Sequence, residues 1–234
     1  MNLYEEAQKL NIDIDEKKAA EFEKYKEMML EYNKVVNLTA ITEDDEIKEK
    51  HFLDCAALTL CPELFEGCSL IDIGAGGGFP SIPVKLVRKD IKLTMLDSLN
   101  KRISFLRSVT EALKLDNAQA IHMRAEDGGQ DKSLREQFDI ATARAVADLS
   151  VLAELALPFV RVGGYFIALK GSDISQELEN AKPAIKTLGG KTQEVREIVL
   201  PSGIKHSLVV IKKLEKTPNK YPRKAGKPSK DPIR

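Results

Sequence analysis

Cysteine and long apolar runs are scarce in this sequence of 234 residues. The three cysteines, Cys55, Cys61 and Cys68, are odd in number and lack C-x-x-C spacing. They therefore argue against a disulfide framework or a zinc site and favour reduced thiols. No apolar stretch approaches the roughly 18 residues that cross a membrane, and the polar, acidic first residues are unlike a signal peptide. These absences predict a cytoplasmic protein that binds neither a metal nor a membrane.

A net charge is also missing, because 36 Lys and Arg residues balance 36 Asp and Glu residues. The balance conceals a basic C-terminus, since the chain from Lys212 onward has nine Lys or Arg residues and only two Asp or Glu residues. A neutral average with a basic end indicates a partner that carries negative charge.

An apolar run ends in a glycine-rich loop after residue 73. Leu70-Ile71-Asp72-Ile73 is followed by Gly74, Gly76, Gly77 and Gly78. Such a sequence is typical of a buried strand that ends in a tight, ligand-binding turn. The dinucleotide fingerprint G-x-G-x-x-G does not fit, because its third glycine would fall on Phe79 or Ser81.

The pattern that does fit, Asp72-x-Gly74-x-Gly76-x-Gly78, resembles motif I of the class I S-adenosylmethionine-dependent methyltransferases. The chemistry agrees with that likeness. Asp72 can attract the α-ammonium of the cofactor, directly or through water, and N–H groups of the loop can hold its carboxylate.

Strand-like and helical stretches alternate from about residue 66. Predicted strands span 69–73, 91–96, 118–123, 138–143 and 165–169, and predicted helices span about 80–88, 101–115, 149–160 and 173–188. Two further strands, 194–200 and 206–212, flank a Pro-Ser-Gly turn and resemble an antiparallel hairpin. The alternation predicts an α/β fold with a Rossmann-like, seven-stranded, mostly parallel sheet of the class I methyltransferase type.

We expect three segments: an N-terminal helical extension (1–65), the S-adenosylmethionine-binding domain (66–213) and a basic, proline-rich tail (214–234). The tail has no apolar periodicity, so two interpretations stay open. It is either a disordered, solubilising end or an arm that contacts phosphates.

Ligands of such sheets bind beyond the carboxyl ends of the strands. Asp97 closes the second strand, where an acid can hold a ribose diol; a helix cap is the alternative. Ala125 and Glu126 follow the third strand, and Glu126 can accept a hydrogen bond from an adenine amino group or remain a solvated loop residue.

Two basic residues extend this rim of the sheet. Arg144 ends the fourth strand among small residues, in Thr142-Ala143-Arg144-Ala145, which favours a role in the site. Lys170 ends the fifth strand on the same rim. His51, taken alone, is expected to be a hydrogen-bonded structural residue.

The motifs together resemble one family, the bacterial 16S rRNA guanine-N7 methyltransferases also called glucose-inhibited division protein B. The matching segments span most of the chain and are 37–41, 51–54, 72–80, 96–98 with 101–102, 124–126, 143–145, 168–171 and 222–228. One departure is Phe79, where family members often carry leucine.

The resemblance implies cofactor contacts from Gly74, Phe79, Ala125, Glu126 and Arg144. The loop pattern adds Gly76 and Gly78, and the position at the end of the second strand adds Asp97. It also implies that the substrate is a guanine of 16S rRNA, free or in the 30S subunit, and we expect a monomeric enzyme. N7 of guanine carries no proton, so no general base is needed. Arg144 and Lys170 are candidates for positioning, while Arg124, Lys170, Arg223 and Lys224 are candidates for RNA contacts.

Three other interpretations stay open. An NAD-dependent oxidoreductase is disfavoured by Phe79, which replaces the third glycine of the fingerprint. A module that binds RNA without catalysis is the second. The third is a methyltransferase for a small molecule or a protein, against which the basic tail argues.

Overall fold

The computed structural model describes residues 1–144 and 147–234. Ala145, which belongs to the predicted motif around Arg144, lies outside the described residues together with Val146. The described strands are β1 Ser69–Ile73, β2 Lys92–Asp97, β3 Ala118–His122, β4 Phe138–Arg144, β5 Val160–Lys170, β6 Gly190–Val199 and β7 Lys205–Lys213.

These strands form one seven-stranded sheet in the order β3-β2-β1-β4-β5-β7-β6. Neighbours among the first five are parallel, whereas β7 runs antiparallel to both β5 and β6. The predicted mostly parallel sheet with a terminal antiparallel pair is therefore confirmed. All five parallel strands end at one edge of the sheet, which we call the carboxyl edge.

Helices surround the sheet and precede it. Within the described residues they are α1 Leu3–Lys9, α2 Glu16–Asn33, α3 Asp44–Ile47, α4 Asp54–Ala56, α5 Ser81–Val87, α6 Asn100–Ala112, α7 Ala125–Gly128, α8 Leu149–Ala156, α9 Ser175–Thr187 and α10 Lys227–Lys230. A π-helical segment, Lys48–Leu53, joins α3 to α4, so 44–56 is continuously helical. Among the described residues, no helix combines the length and the apolar character that a membrane crossing requires.

Two hydrophobic cores hold these helices to the sheet. One contains the N-terminal helices with α5 and α6, and its largest buried side chains include Phe22, Tyr25, Phe52 and Phe105. The other contains α8 and α9, with Phe159 fully buried. β1 contributes Leu70 to the first core and Ile71 and Ile73 to the second, as expected for a central parallel strand that is covered on both faces.

The largest difference from the predicted boundaries is at β5, which begins at Val160 and not at Tyr165. The preceding helix stops at Ala156, because Pro158 lies in a short 3₁₀ turn. Gly163 and Gly164, which precede the predicted strand, lie inside β5. A Cβ at Gly164 would be 2.4 Å from the Asp139 carbonyl oxygen, so the glycine permits a close approach of two backbones.

The tail is ordered and packs against the sheet domain, unlike the disordered end that its composition allowed. Arg135 donates hydrogen bonds to the carbonyl oxygens of Thr217 (2.7 Å) and Tyr221 (2.8 Å). The Arg223 guanidinium binds Glu154, a residue of α8 that is only 1% exposed, with an N–O distance of 2.6 Å. The tail therefore supplies the charge that compensates a buried carboxylate.

We expect Arg223→Ala to loosen the tail and destabilise the protein. The substitution leaves Glu154 buried without its cation, which costs roughly 3–5 kcal/mol in comparable pairs. Thermal unfolding and limited proteolysis should show a lower Tm and faster cleavage within 216–234. Lys230→Ala, which changes an exposed cation of the same segment, should match the wild type. If Arg223→Ala were as stable as the wild type, Arg223 would not be the residue that compensates the Glu154 charge.

Candidate active site

The glycine-rich loop lies at the carboxyl edge between β1 and α5. The backbone N–H groups of Gly74 and Ala75 donate to the carbonyl oxygen of Leu96 in β2, at 2.8 and 3.0 Å. Gly76 donates its N–H to the Asp97 carboxylate (2.9 Å). Gly74 and Gly76 both have positive φ, 73° and 58°, which glycine adopts at little cost. The loop is thus fixed to the end of β2.

A cavity of about 350 Å³ opens above this loop. It brings together five of the residues predicted for the cofactor: Gly74, Gly76, Phe79, Asp97 and Arg144. Its remaining lining consists of Leu38, Ala75, Gly77, Ser98 and Arg102. We call it the loop cavity.

The other predicted cofactor residues lie elsewhere. Gly78 faces the protein interior, where a Cβ would come within 2.9 Å of the Tyr25 hydroxyl oxygen. Ala125 and Glu126 begin α7, beyond β3. One oxygen of the Glu126 carboxylate, Oε1, accepts the backbone N–H of Gly226 in the tail (2.9 Å).

A second cavity, of about 450 Å³, lies beside the first. Arg144 lines both, and the second is completed by Ile41, Lys50, His51, Asp54, Leu169, Lys170, Gly171, Ile204 and His206. We call it the acceptor cavity. Its residues come from the helical segment 44–56, the end of β5 and the start of β7, which all meet at the carboxyl edge.

Arg144 is held in place from several sides. Its Nη1 donates to the Lys50 carbonyl oxygen (2.9 Å) and to Asp54 Oδ2 (3.3 Å), and its Nη2 donates to His51 Nδ1 (2.9 Å). The guanidinium carbon lies 4.8 Å from the centroid of the Phe79 ring, in cation–π geometry. Arg144 thus has one defined orientation between the two cavities.

His51 is neutral and fixed as one tautomer. A guanidinium donates hydrogen bonds and accepts none, so Nδ1, which faces Arg144, carries no proton. Nε2 therefore bears the hydrogen and donates to the Thr39 hydroxyl (2.7 Å). Burial and the nearby Arg144 charge lower the pKa of His51 to about 4. The imidazole also stacks on Phe79, with ring centroids 4.4 Å apart.

His206 titrates differently although it belongs to the same network. Its Nδ1 donates to Asp54 Oδ1 (2.6 Å), and this hydrogen bond raises the pKa of His206 above its ordinary value. Asp54 therefore joins His206 to Arg144. One continuous chain of hydrogen bonds along the acceptor cavity links Thr39, His51, Arg144, Asp54 and His206.

The residues predicted for RNA differ in their surroundings. Lys170 lines the acceptor cavity, but its ammonium pairs with Glu177 (2.5 Å) and donates to the Ala147 carbonyl oxygen (2.9 Å). Arg223 is paired with Glu154. Arg124 and Lys224 are exposed, and Lys224 lines a hollow between α7 and the tail.

Several site residues escaped prediction. Leu38 and Arg102 of the loop cavity lie within the family-like segments but carried no assigned role. Asp54 follows His51 by three residues, a spacing that places both on one face of a helix. This spacing could have indicated that the two side chains act at one site. His206 had no such signal, because antiparallel pairing of β7 with β5 brings it to the carboxyl edge.

Solved structures share this fold at low sequence identity. The precorrin-6y C5,15-methyltransferase of Geobacter metallireducens superposes with a TM-score of 0.52 at 16% identity, over 67% of this chain and 85% of that chain. The cyclase SpnF superposes with a TM-score of 0.54 at 13% identity, over 70% and 82%. The likeness establishes the class I methyltransferase fold, but a cyclase shares it, so the fold alone does not select the reaction.

Comparison of sequences is more specific. The protein named ribosomal RNA small subunit methyltransferase G of Clostridium tetani is 50% identical over 226 residues, which are 96% of this chain and 95% of the relative. The protein of the same name from Alkaliphilus metalliredigens is also 50% identical, over all of this chain and 98% of the relative. The family described as rRNA small subunit methyltransferase G matches residues 18–208. The chain therefore belongs to the rRNA small subunit methyltransferase G family, and it is a methyltransferase.

Proposed function

We propose that this protein transfers a methyl group from S-adenosylmethionine to N7 of a guanine in 16S rRNA. The observation that carries the proposal is the pair of cavities that meet at Arg144. A methyl transfer needs a donor and an acceptor in contact, and two adjacent cavities at the carboxyl edge provide for both. The names of the relatives support rRNA as the acceptor.

The loop cavity fits the cofactor's polar groups. The loop presents backbone N–H groups near the N-terminus of α5, which suits a carboxylate. Asp97 has accepted one hydrogen bond at each oxygen, from Gly76 and Leu99, and each oxygen retains a lone pair for a ribose hydroxyl. Arg102 Nη1 lies 3.6 Å from Asp97 Oδ2 and compensates the charge of this carboxylate.

Asp72 supplies an acceptor for the α-ammonium. Its side chain is fully buried, Oδ2 accepts the backbone N–H of Ser81 (3.3 Å), and Oδ1 has no partner among the described residues. Burial raises the pKa of Asp72 to about 7. A buried, unpartnered carboxylate oxygen costs free energy, and a nearby cation, directly or through a water molecule, offsets that cost.

The protein's residues would act by positioning. S-adenosylmethionine, when bound, supplies an electrophilic methyl group on a sulfonium. N7 of guanine has a free lone pair, so the site needs no general base, and the neutral His51 donates its only N–H to Thr39. Arg144 and the His51–Phe79 stack fix the boundary between the cavities. Ile41, Leu169 and Ile204 give the acceptor cavity an apolar lining that suits the flat faces of a base.

RNA would lie across the carboxyl edge. We propose that Arg124 and Lys224 contact phosphates, because both are exposed there, and that Ala125 and Glu126 reach the cofactor where the tail covers α7. Lys170 would act at the rim of the acceptor cavity. We assign Arg223 to holding the tail, since its charge is paired with Glu154. The guanine must be presented to the cavity, by the fold of the RNA or by flipping.

Methyl transfer can be tested with tritiated S-adenosylmethionine and two acceptors, naked 16S rRNA and 30S subunits from a strain without the enzyme. We expect label at a single guanine, cleavable by borohydride and aniline as N7-methylguanine is, and the labelled particle identifies the substrate. A heat-denatured sample of the enzyme serves as the control. Cofactor binding by calorimetry without label in either acceptor would overturn the RNA proposal.

Asp72→Asn should stabilise the free protein at alkaline pH and weaken cofactor binding. The folded pKa of Asp72, about 7, lies above the ordinary value of 3.8 for an aspartate, so the wild type loses stability as pH rises between these values. Each unit of pKa difference corresponds to about 1.4 kcal/mol, so the gain of the variant should be a few kcal/mol at pH 8 and much smaller at pH 4.5.

Calorimetric melts at the two pH values and titration with S-adenosylmethionine measure these effects. The cofactor Kd should rise about tenfold or more, as expected when a charged partner is lost. Asp13→Asn, whose side chain is 83% exposed, is the matched control. Equal Tm shifts at both pH values, or an unchanged Kd, would contradict the role given to Asp72.

The exposed cations can be tested by salt titration. Replacing both Arg124 and Lys224 by alanine should weaken RNA binding and reduce the slope of log K against log salt by about 1 for each lost phosphate contact. Lys182→Ala is the control, because Lys182 lies beside Gly190 at the opposite edge of the sheet. If both variants keep the wild-type slope, the RNA lies elsewhere.

A further inference from the structure

One short segment touches both cavities. Residues 38–41, which we call the strap, run from α2 towards α3. Leu38 lines the loop cavity, and its Cβ would lie 3.5 Å from a Cβ built on Gly77. Ile41 lines the acceptor cavity. The strap, a segment of the N-terminal part of the chain, therefore contributes to the lining of both cavities.

A single side chain fixes the start of the strap. Asn33, the last residue of α2, accepts the backbone N–H groups of Leu38 (2.8 Å) and Thr39 (3.1 Å) at Oδ1. Its Nδ2 donates to the carbonyl oxygen of Thr39 (3.0 Å). An amide provides the acceptor and the donor that this arrangement requires, whereas an apolar side chain provides neither.

The strap is also joined to the shared arginine. The Thr39 hydroxyl accepts the backbone N–H of Ile41 (3.0 Å) and the Nε2–H of His51 (2.7 Å). His51 in turn accepts from Arg144. Hydrogen bonds thus connect Asn33 to Thr39, Thr39 to His51, and His51 to Arg144. Arg144, the last residue of this path, lies between the two cavities.

The same helix holds the loop from below. The Tyr25 hydroxyl of α2 donates to the Gly77 carbonyl oxygen, and the Tyr25 ring packs against Phe79, with centroids 5.7 Å apart. Leu38 lines the loop cavity from the strap, so α2, through Tyr25, and the strap that follows it both contact this part of the site.

We propose that Asn33 is a positioning residue for methyl transfer: it clamps the strap so that Leu38 stays in the lining of the loop cavity and the Thr39 hydroxyl holds the orientation of the His51 ring. The role rests on the function proposed above. Asn33 touches neither cavity itself, since it acts through Leu38 and Thr39. Its loss should therefore change cofactor affinity and turnover together, although no group that contacts a substrate is removed.

Three variants test the clamp. Asn33→Ala should raise the cofactor Kd about fivefold to tenfold and lower kcat about tenfold, as expected for the loss of three part-buried hydrogen bonds. Asn33→Asp keeps an acceptor for the two N–H groups but loses the donor to the Thr39 carbonyl oxygen, so it should recover part of the cofactor affinity. Thr39→Val should lower kcat while the cofactor Kd stays within about twofold, because Leu38 remains clamped.

The readouts separate positioning from stability. Calorimetry gives the Kd, single-turnover assays give the rate, and a melt gives the Tm of each variant. Asn180→Ala, an exposed asparagine of α9 that accepts from Gln176 (3.0 Å), is the matched control and should leave all three unchanged. A lower Tm in Asn33→Ala with unchanged Kd and rate would overturn the proposal, and so would failure of Asn33→Asp to improve on alanine.

The calorimetric arm uses S-adenosylmethionine alone and so does not depend on the acceptor. If the wild type binds the cofactor but methylates no RNA, the proposed function fails, while the effect of Asn33 on the Kd is still measured. If methylation occurs and the Kd of Asn33→Ala equals that of the wild type, the clamp fails while the function stands.

Discussion

A buried positive charge sets the main constraint on this structure. The Arg144 side chain is only 15% exposed, and a cation removed from water must be compensated by acceptors and opposite charge. The compensation comes from the Lys50 carbonyl oxygen, Asp54 and His51. All three belong to the helical segment that precedes the sheet. The N-terminal extension is therefore part of the site and not only a cover for the core.

The unusual geometry of that segment serves this constraint. His51 lies in the π-helical turn Lys48–Leu53, a wider turn that is often found at functional sites. The turn directs a backbone carbonyl group, an imidazole and a carboxylate at one guanidinium. Aromatic packing then holds the turn in place, because Phe52 contacts both Phe22 and Tyr25 of α2. The π-helical turn is thus held by hydrogen bonds to Arg144 on one side and by aromatic packing against α2 on the other.

The sheet and the glycine loop could be predicted because their signals are local. An apolar run before glycines indicates a strand end, and parallel strands bring their carboxyl ends to one edge, where Gly74, Asp97 and Arg144 line one cavity. His206 could not be placed, since its position depends on strand pairing over a long distance. The pairing of Arg223 with Glu154 could not be predicted either. The lysine- and proline-rich composition of the tail indicates a soluble segment, and it contains no sign that Glu154, in a distant helix, is buried. The strap lacked a signal as well, because an asparagine at a helix end is common.

The pairing of Arg223 with Glu154 has a consequence for synthesis of the chain. The two residues are 69 positions apart, and translation proceeds at roughly 5–20 residues per second. Glu154 is therefore synthesised several seconds before Arg223. The interval is longer still until Arg223 leaves the ribosomal exit tunnel. During this interval the Glu154 carboxylate has no cation, so removing it from water would leave an uncompensated charge. This face of the protein is completed late, after the glycine loop and its strands are already available to fold.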